Sequence, residues 1–418
     1  MGKQQTKQQI KTGIGAPFLR KKPFGKAYDE FLLKGCFRNY AYDPQSEGNR
    51  GWYSFQLLRR SKHYPALARE FRRRFLRMKT GDHRVNPDQA FAVAYHLYRA
   101  GDLKKGPIID KYRELNAEPN PYEYGWAYVI RLGRKGMYAY MEVTGKQLKG
   151  EKVTAHSPEI FRKKAVRKAL KKWGGKLPPT SRENKHVRRY RRKVLDRKAP
   201  PVEEISIARP ENFDELIDHI EAGRPGGRLN NLYQRLTPDE LRQLAERELR
   251  AKDPAKKWRY LRVFEQRDYP GDPLRLIDRL DLDDRRLLRT VSIILGRVAS
   301  VAIRRFARSR LKQHRTVAAS VRMLTACYSE SDDALIYRTI RDVTDQGELH
   351  AIGDAVQGIL KRHPDQRMHR TIGYLYANGR CGVCRREFLL HQRAAAHLTK
   401  RRRRELRWDS YAPTRSLV

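Results

Sequence analysis

The chain is poor in cysteine, poor in acid and free of long apolar runs. Four cysteines in 418 residues are too few for a disulfide scaffold and fit a reducing compartment. No apolar stretch nears the roughly 20 residues that a membrane helix needs. The N-terminal "MGKQQTKQQIKTGIGAPFLRKKPFGK" lacks the apolar core of a signal peptide. A cytoplasmic protein is expected. Strand-like alternation is scarce, which argues for an all-α fold. The phosphate-cradling GxxxxGK[ST] loop is missing, as are GxSxG and HExxH. "GRPGGRLNN" at 223–231 follows a helix, not a strand, and reads as a turn. Cys36, in "LKGCFRNY", lies beside basic residues but reads as a partly buried structural thiol. Nothing here assembles a catalytic constellation, so the expectation is a non-enzyme without a cofactor.

Positive charge is what the chain has in excess. It carries 91 Lys and Arg against 47 Asp and Glu, a net +44, with a pI of about 10.4. Residues 1–200 hold 48 basic against 17 acidic side chains, or +31, and the remainder holds +13. Such a surface repels itself unless an anion covers it. Nucleic acid is the usual partner, because each neutralised phosphate releases counterions. An anionic membrane would call for an amphipathic helix with a bulky apolar face, and none stands out.

Composition divides the chain into four stretches. Residues 1–26 read as a basic flexible tail. Residues 27–155 read as a helical-repeat half, 156–209 as a strongly basic helical block and linker, and 210–418 as C-terminal repeats with a terminal cap. In the second stretch Trp52, Phe55 and Leu58 share a helix face, as do Leu67, Phe71, Phe75 and Met78. Pro65 and Pro87 fit first helical turns. "AVAYHLYRAGDLKKGPIIDKYREL" can be laid against "GWAYVIRLGRKGMYAYMEVTGKQL", a period of about 30–40 residues that suits a helical hairpin. The basic block reads as two short helices parted by Gly174-Gly175 and Pro178-Pro179. Further on, Phe213, Leu216, Ile217 and Ile220 mark a helix, and Thr237, Pro238 and Glu240 form a capping box.

In "LDLDDRRLLRTVSIILGRVASVAIRRFARSRLK", Asp283-Asp284 precede a helix with Leu287, Leu288, Val291, Ile294 and Leu295. After Gly296 comes a second helix with Val301, Phe306, Ala307 and Leu311. This resembles a HEAT-type repeat, and "DQGELHAIGDAVQGILKRHPDQRMHRTIGYLYANG" is a looser copy. The ending "GYLYANGRCGVCRREFLLHQRAAAHL … LRWDSYAPTR" resembles the terminal repeat of bacterial HEAT-repeat proteins of unassigned function. The resemblance covers residues 50–412, with specific motifs in the last third. It implies a HEAT-like α-solenoid of stacked hairpins, a class that mostly binds other molecules.

The polyanion-binding candidates are clustered cations. Lys21 and Lys22 lie in the tail. Arg72, Arg73, Arg74 and Arg77 follow, then Lys163, Lys164, Lys171 and Lys172. Arg188, Arg189, Arg191, Arg192 and Lys193 surround Tyr190, whose ring is expected to stack on an unpaired base. Arg304, Arg305 and Arg308 share a helix, and Arg401, Arg402, Arg403 and Arg404 form a run. One such cluster is ordinarily a solvated face. Several in a chain of this charge point to nucleic acid, with RNA favoured over DNA and a ribonucleoprotein subunit as the fitting role. Two other readings stand beside it. One is a HEAT-like DNA alkyl-base glycosylase using Trp126 with Tyr122 and Tyr124, or Trp258 with Tyr260. The other is a protein scaffold that docks a partner through "ENFDELIDHIEAG".

"CGVCRREFLLHQRAAAHL" holds two cysteines and two histidines. On a helix, Cys381, Cys384, Phe388, His391, Ala395 and Leu398 form one stripe that a terminal repeat would bury. His397 falls about 120° away from it. Six residues part Cys384 from His391, where a two-Cys, two-His finger has about twelve. The stripe therefore reads first as structural. A zinc alternative would use Cys381, Cys384, His391 and an outside ligand such as His363 or His369.

Overall fold

The computed structural model describes residues 2–40, 50–118, 123–150, 157–172, 184–196, 210–223, 230–277, 284–394 and 398–418. Every regular element among them is helical, with no strand. The chain forms two units. One comprises Met1–Ile205 with Arg404–Ser416, and the other Ser206–Arg403.

The first unit contains α1 (Lys3–Thr12), α2 (Lys26–Arg38), α3 (Gly51–Arg59), α4 (Tyr64–Arg77) and α5 (Pro87–Arg99). It continues with α6 (Lys105–Leu115), α7 (Trp126–Val129), α8 (Arg134–Gln147), α9 (Pro158–Lys172) and α10 (Lys185–Tyr190), which runs on into a π turn at Arg191–Leu195. α3 packs on α5, α6 on α8, and α8 on α10. The stripe Leu67, Phe71, Phe75 and Met78 is buried, as are Phe55 and Leu58. Each such side chain contributes about 1.5–3 kcal/mol. Trp52 is half-buried, because it lies beside Trp408, with ring centroids 6.2 Å apart.

Residues 1–26 depart from the expected flexible tail. Lys3–Thr12 is helical, and Ile10, Ile14, Phe18 and Phe24 are buried in the first unit. The apolar residues of the segment are the cause: α1 is capped at Gly13, and the burial of Ile10 on the helix and of Ile14, Phe18 and Phe24 beyond it outweighs the Lys/Gln-rich composition around them. The far end of the chain meets this segment. Trp408 stacks on Phe18 at 4.8 Å, Ser410 donates its N–H to the Gly13 carbonyl at 2.8 Å, and the Arg415 guanidinium lies 4.0 Å from the Trp52 ring centre. A Cβ on Gly15 would overlap the Glu405 carbonyl, so the two segments approach as closely as backbones allow.

The second unit contains α11 (Phe213–Glu221), α12 (Asn230–Arg235), α13 (Pro238–Arg250), α14 (Pro254–Leu261), α15 (Arg285–Leu295) and α16 (Val301–Lys312). Then come α17 (Val317–Met323), α18 (Ser331–Ile340), α19 (Gln346–Arg362), α20 (His369–Asn378) and α21 (Gly382–Ala394), whereas α22 (Lys400–Leu406) crosses back into the first unit at Arg404 and α23 (Ala412–Arg415) belongs to that unit. The capping box on α13 forms as its sequence dictates: Glu240 N–H donates to the Thr237 hydroxyl, and the Glu240 carboxylate accepts from Thr237 N–H. Asp284 caps α15. Alternate helices lie side by side. α15 packs on α17, α17 on α19 and α19 on α21, while α16 packs on α18 and α18 on α20. Leu287, Leu288, Val291, Ile294 and Leu295 are buried as expected. Val301 is not: it is 76% exposed at the start of α16, and Ile303 takes the place in the buried stripe with Ala307 and Leu311. No described helix is long and apolar enough to cross a membrane.

Candidate nucleic-acid interface

Around residues 78–86 the first unit gathers cations that lie far apart in sequence. α2 ends at Arg38 and α4 at Arg77, and both helices carry basic residues in their last turns, where the helix dipole favours them. The connector from α4 to α5 is fixed at both ends. Buried Lys111 donates to the Met78 carbonyl at 3.1 Å, and Asn86 N–H donates to the Phe37 carbonyl at 2.6 Å. Inside the turn Asp82 accepts from Arg84 N–H at 3.0 Å, which holds its carboxyl below the usual range. Asn86 then caps α5 through Gln89 N–H.

The result is a groove of about 690 Å³. Lys34, Arg38, Arg74, Arg77, Lys79 and Arg84 line it against a single acid, Asp82. Phe37 and Met78 close its floor and are buried. Arg74 is committed elsewhere: it pairs with Glu30 at 3.0 Å and Glu70 at 2.7 Å. Hydrogen bonds from Arg73 and Arg74 pull Glu70 down to about 2. Arg38, Arg77 and Lys79 are exposed and form no ion pair among the described residues. A second cavity of about 590 Å³ shares Arg38, His83, Arg84 and Val85 with the first and adds Tyr124. It also holds Asp88, whose carboxyl burial pushes upward while Gly125 N–H donates to it at 2.7 Å. Of the groove cations only Arg74 and Arg77 belong to a sequence run. Lys79 and Arg84 follow the run in the connector, Lys34 and Arg38 come from α2, and the folding of α2 against α4 brings the two groups together.

The other clusters divide between exposed cations and structural ones. Lys21, Lys22, Arg72, Lys164, Lys171, Lys172, Arg188, Arg192, Arg305, Arg401, Arg403 and Arg404 are exposed. Lys163 and Arg191 are half-buried, and burial lowers the Lys163 pKa. Arg189 donates to the Gly145 carbonyl and Lys193 to the Leu148 carbonyl, each at 2.9 Å. Arg304 and Arg308 both pair with Asp332, which is fully buried. They neutralise a core carboxylate, so they are not available as a pair of phosphate ligands. Arg402 lies 3.8 Å from the centre of the Tyr376 ring.

Tyr190 corrects the sequence reading outright. Its side chain is fully buried, edge-on to Tyr140 at 5.6 Å, and no base can stack on it. Val187, Tyr190 and Val194 fall at helical spacing and are all buried, a stripe that the flanking arginines mask. The aromatic pieces of the glycosylase reading also lie within helical packing. Trp126 is half-buried under Arg162, Tyr260 is buried, and Trp258 is flanked by Arg262 and Arg286. Tyr122 lies outside the described residues. α11 exposes Asp214, Glu215 and Asp218.

The cysteine segment begins α21, with Cys381 just before it, as the spacing predicts. Cys381, Cys384 and Phe388 are buried; Ala395 and His397 lie outside the described residues. His391 does not join the cysteines: its ring N–H donates to the Gln366 carbonyl at 3.0 Å. His363 likewise donates to the Thr325 carbonyl at 2.8 Å, and His369 is exposed at the start of α20. The histidine that meets the cysteines is His350 on α19, and its nearest ligand atom and both thiols lie within 4.8 Å of one another. The sequence offered no signal for it, because α19 and α21 are brought together only by packing. Cys36 is fully buried, and burial pushes its thiol up.

No known protein family, curated protein or solved structure matches the chain.

Proposed function

We propose that the chain is a non-catalytic nucleic-acid-binding protein that grips a phosphate backbone in the groove around residues 78–86. The observation that carries this reading is the convergence of six Lys and Arg on one groove with a single acid. Three of them, Arg38, Arg77 and Lys79, have no carboxylate partner among the described residues. Phosphates would supply the missing charge, and exposed cations cost little to present to them.

RNA with unpaired bases fits the groove better than a bare duplex. Half-buried Tyr124 and exposed His83 stand beside the cations and offer ring faces on which a base can stack. They take over the role expected of Tyr190. The side-by-side packing of alternate helices in the second unit supports a HEAT-like solenoid. A ribonucleoprotein subunit is the role we infer for such a chain, in the cytoplasm.

Binding of a fluorescent single-stranded RNA, measured between about 50 and 200 mM salt, tests the proposal. Affinity is expected to fall with a log–log slope of roughly −0.7 per contacted phosphate. The triple variant Arg38→Gln, Arg77→Gln, Lys79→Gln is expected to weaken binding and to flatten that slope by about 2. Salt-independent binding, or a slope unchanged in the triple variant, would refute the groove.

A further inference from the structure

We infer that Cys381, Cys384 and His350 form a zinc site in the second unit. The three donors come from α19, from α21 packed on it, and from the residue just before α21. Cys384 Sγ lies 3.6 Å from His350 Nδ1. Zinc bonds of about 2.3 Å to sulfur and about 2.0–2.1 Å to nitrogen, at a tetrahedral angle, place those two atoms about 3.6 Å apart. Two thiolates on the same ion stand about 3.8 Å apart, which the 4.8 Å limit on all three donors accommodates.

The surroundings suit thiolates. Cys381 immediately precedes α21, a helix of 13 residues, and Cys384 N–H donates to Cys381 Sγ at 3.4 Å. An N–H donor and a helix N-terminus both favour the anionic sulfur. Buried Arg385 donates to the carbonyls of Gly379 and Arg380 at 3.1 and 3.2 Å, which pins the turn that carries Cys381. Phe388, buried one turn beyond Cys384 on α21, packs with it against Gly353 of α19 and walls the interior side. Loading the site releases one proton from each thiol to solvent. The imidazole enters neutral, with Nδ1 toward the metal and its proton on Nε2. Three of the four ligands that zinc takes are then protein atoms.

Elemental analysis of the full chain, purified without an affinity tag or chelator, is the test. About one equivalent of zinc per chain is expected. Replacing it with Co²⁺ is expected to give a thiolate-to-cobalt charge-transfer band and the visible bands of a tetrahedral site. Cys381→Ser, Cys384→Ser and His350→Ala are each expected to lose the metal, while His391→Ala and Cys36→Ser keep it. His350→Cys is expected to keep it with a stronger charge-transfer band, which separates loss of a ligand from loss of fold. A wild-type chain without zinc and without the cobalt band overturns the proposal. So does zinc that persists in all three ligand variants, or a reversible Cys381–Cys384 disulfide in a chain that takes up no metal.

Discussion

His96 on α5 is a single residue whose burial sets a pH limit on the first unit. Its ring lies 5.7 Å from that of Phe55, and burial, with the charges of Arg131, Arg99 and Arg415, pushes its pKa down to about 4 from 6.5. Between those two values the unfolded chain binds a proton that the folded chain refuses, so stability falls as pH drops through the window. It is fully present above the upper value. Urea midpoints followed by the first unit's aromatic signal should therefore decline from pH 7 toward pH 4, and His96→Gln should flatten the decline. The loss from Glu70, held at about 2 by Arg73 and Arg74, belongs to lower pH. Single residues were only half legible in the sequence. Arg304 and Arg308 look like a phosphate-binding pair, yet they serve Asp332 from the next hairpin. A charge run shows where cations are, not which carboxylates the fold sets against them.

Helices were the most legible level, because their signals are local. Thr237 and Glu240, Asn86 with Pro87, and Asp284 each start a helix where capping chemistry requires it. Which helices touch was not legible, and small residues decide much of it. Gly145 on α8 faces α10, where a Cβ would overlap the His186 carbonyl. The Arg189 guanidinium also donates to the Gly145 carbonyl. Gly145→Ala should thus force α10 away and cost about 1–3 kcal/mol, read as a lower denaturation midpoint. The near-ultraviolet signal of the Tyr140–Tyr190 pair should weaken with it. The groove belongs to this class of feature. Its cations come from two distant stretches, Lys34 with Arg38 and Arg74 to Arg84, which become one site only through contacts between elements.

For the whole molecule, the all-helical class follows from the 3.6-residue periodicity, but the membership of the units does not. Trp408 and Arg415 look like the edge of a terminal repeat, whereas they pack on Phe18 and Trp52 of the first unit. Composition could not announce this, because the contact joins residues from opposite ends of the sequence. In chain order the span Ser206–Arg403 lies between the two parts of the first unit. By flexible-chain entropy, closing so long a span costs on the order of 5 kcal/mol, and each doubling adds only about 0.6 kcal/mol, so the clasp of Trp408, Ser410 and Arg415 works against a cost that hardly depends on the span's length. A chain nicked at an engineered protease site within 197–209 should accordingly run as one species on a native sizing column. The two pieces should part only when Trp408→Ala and Arg415→Ala open the clasp.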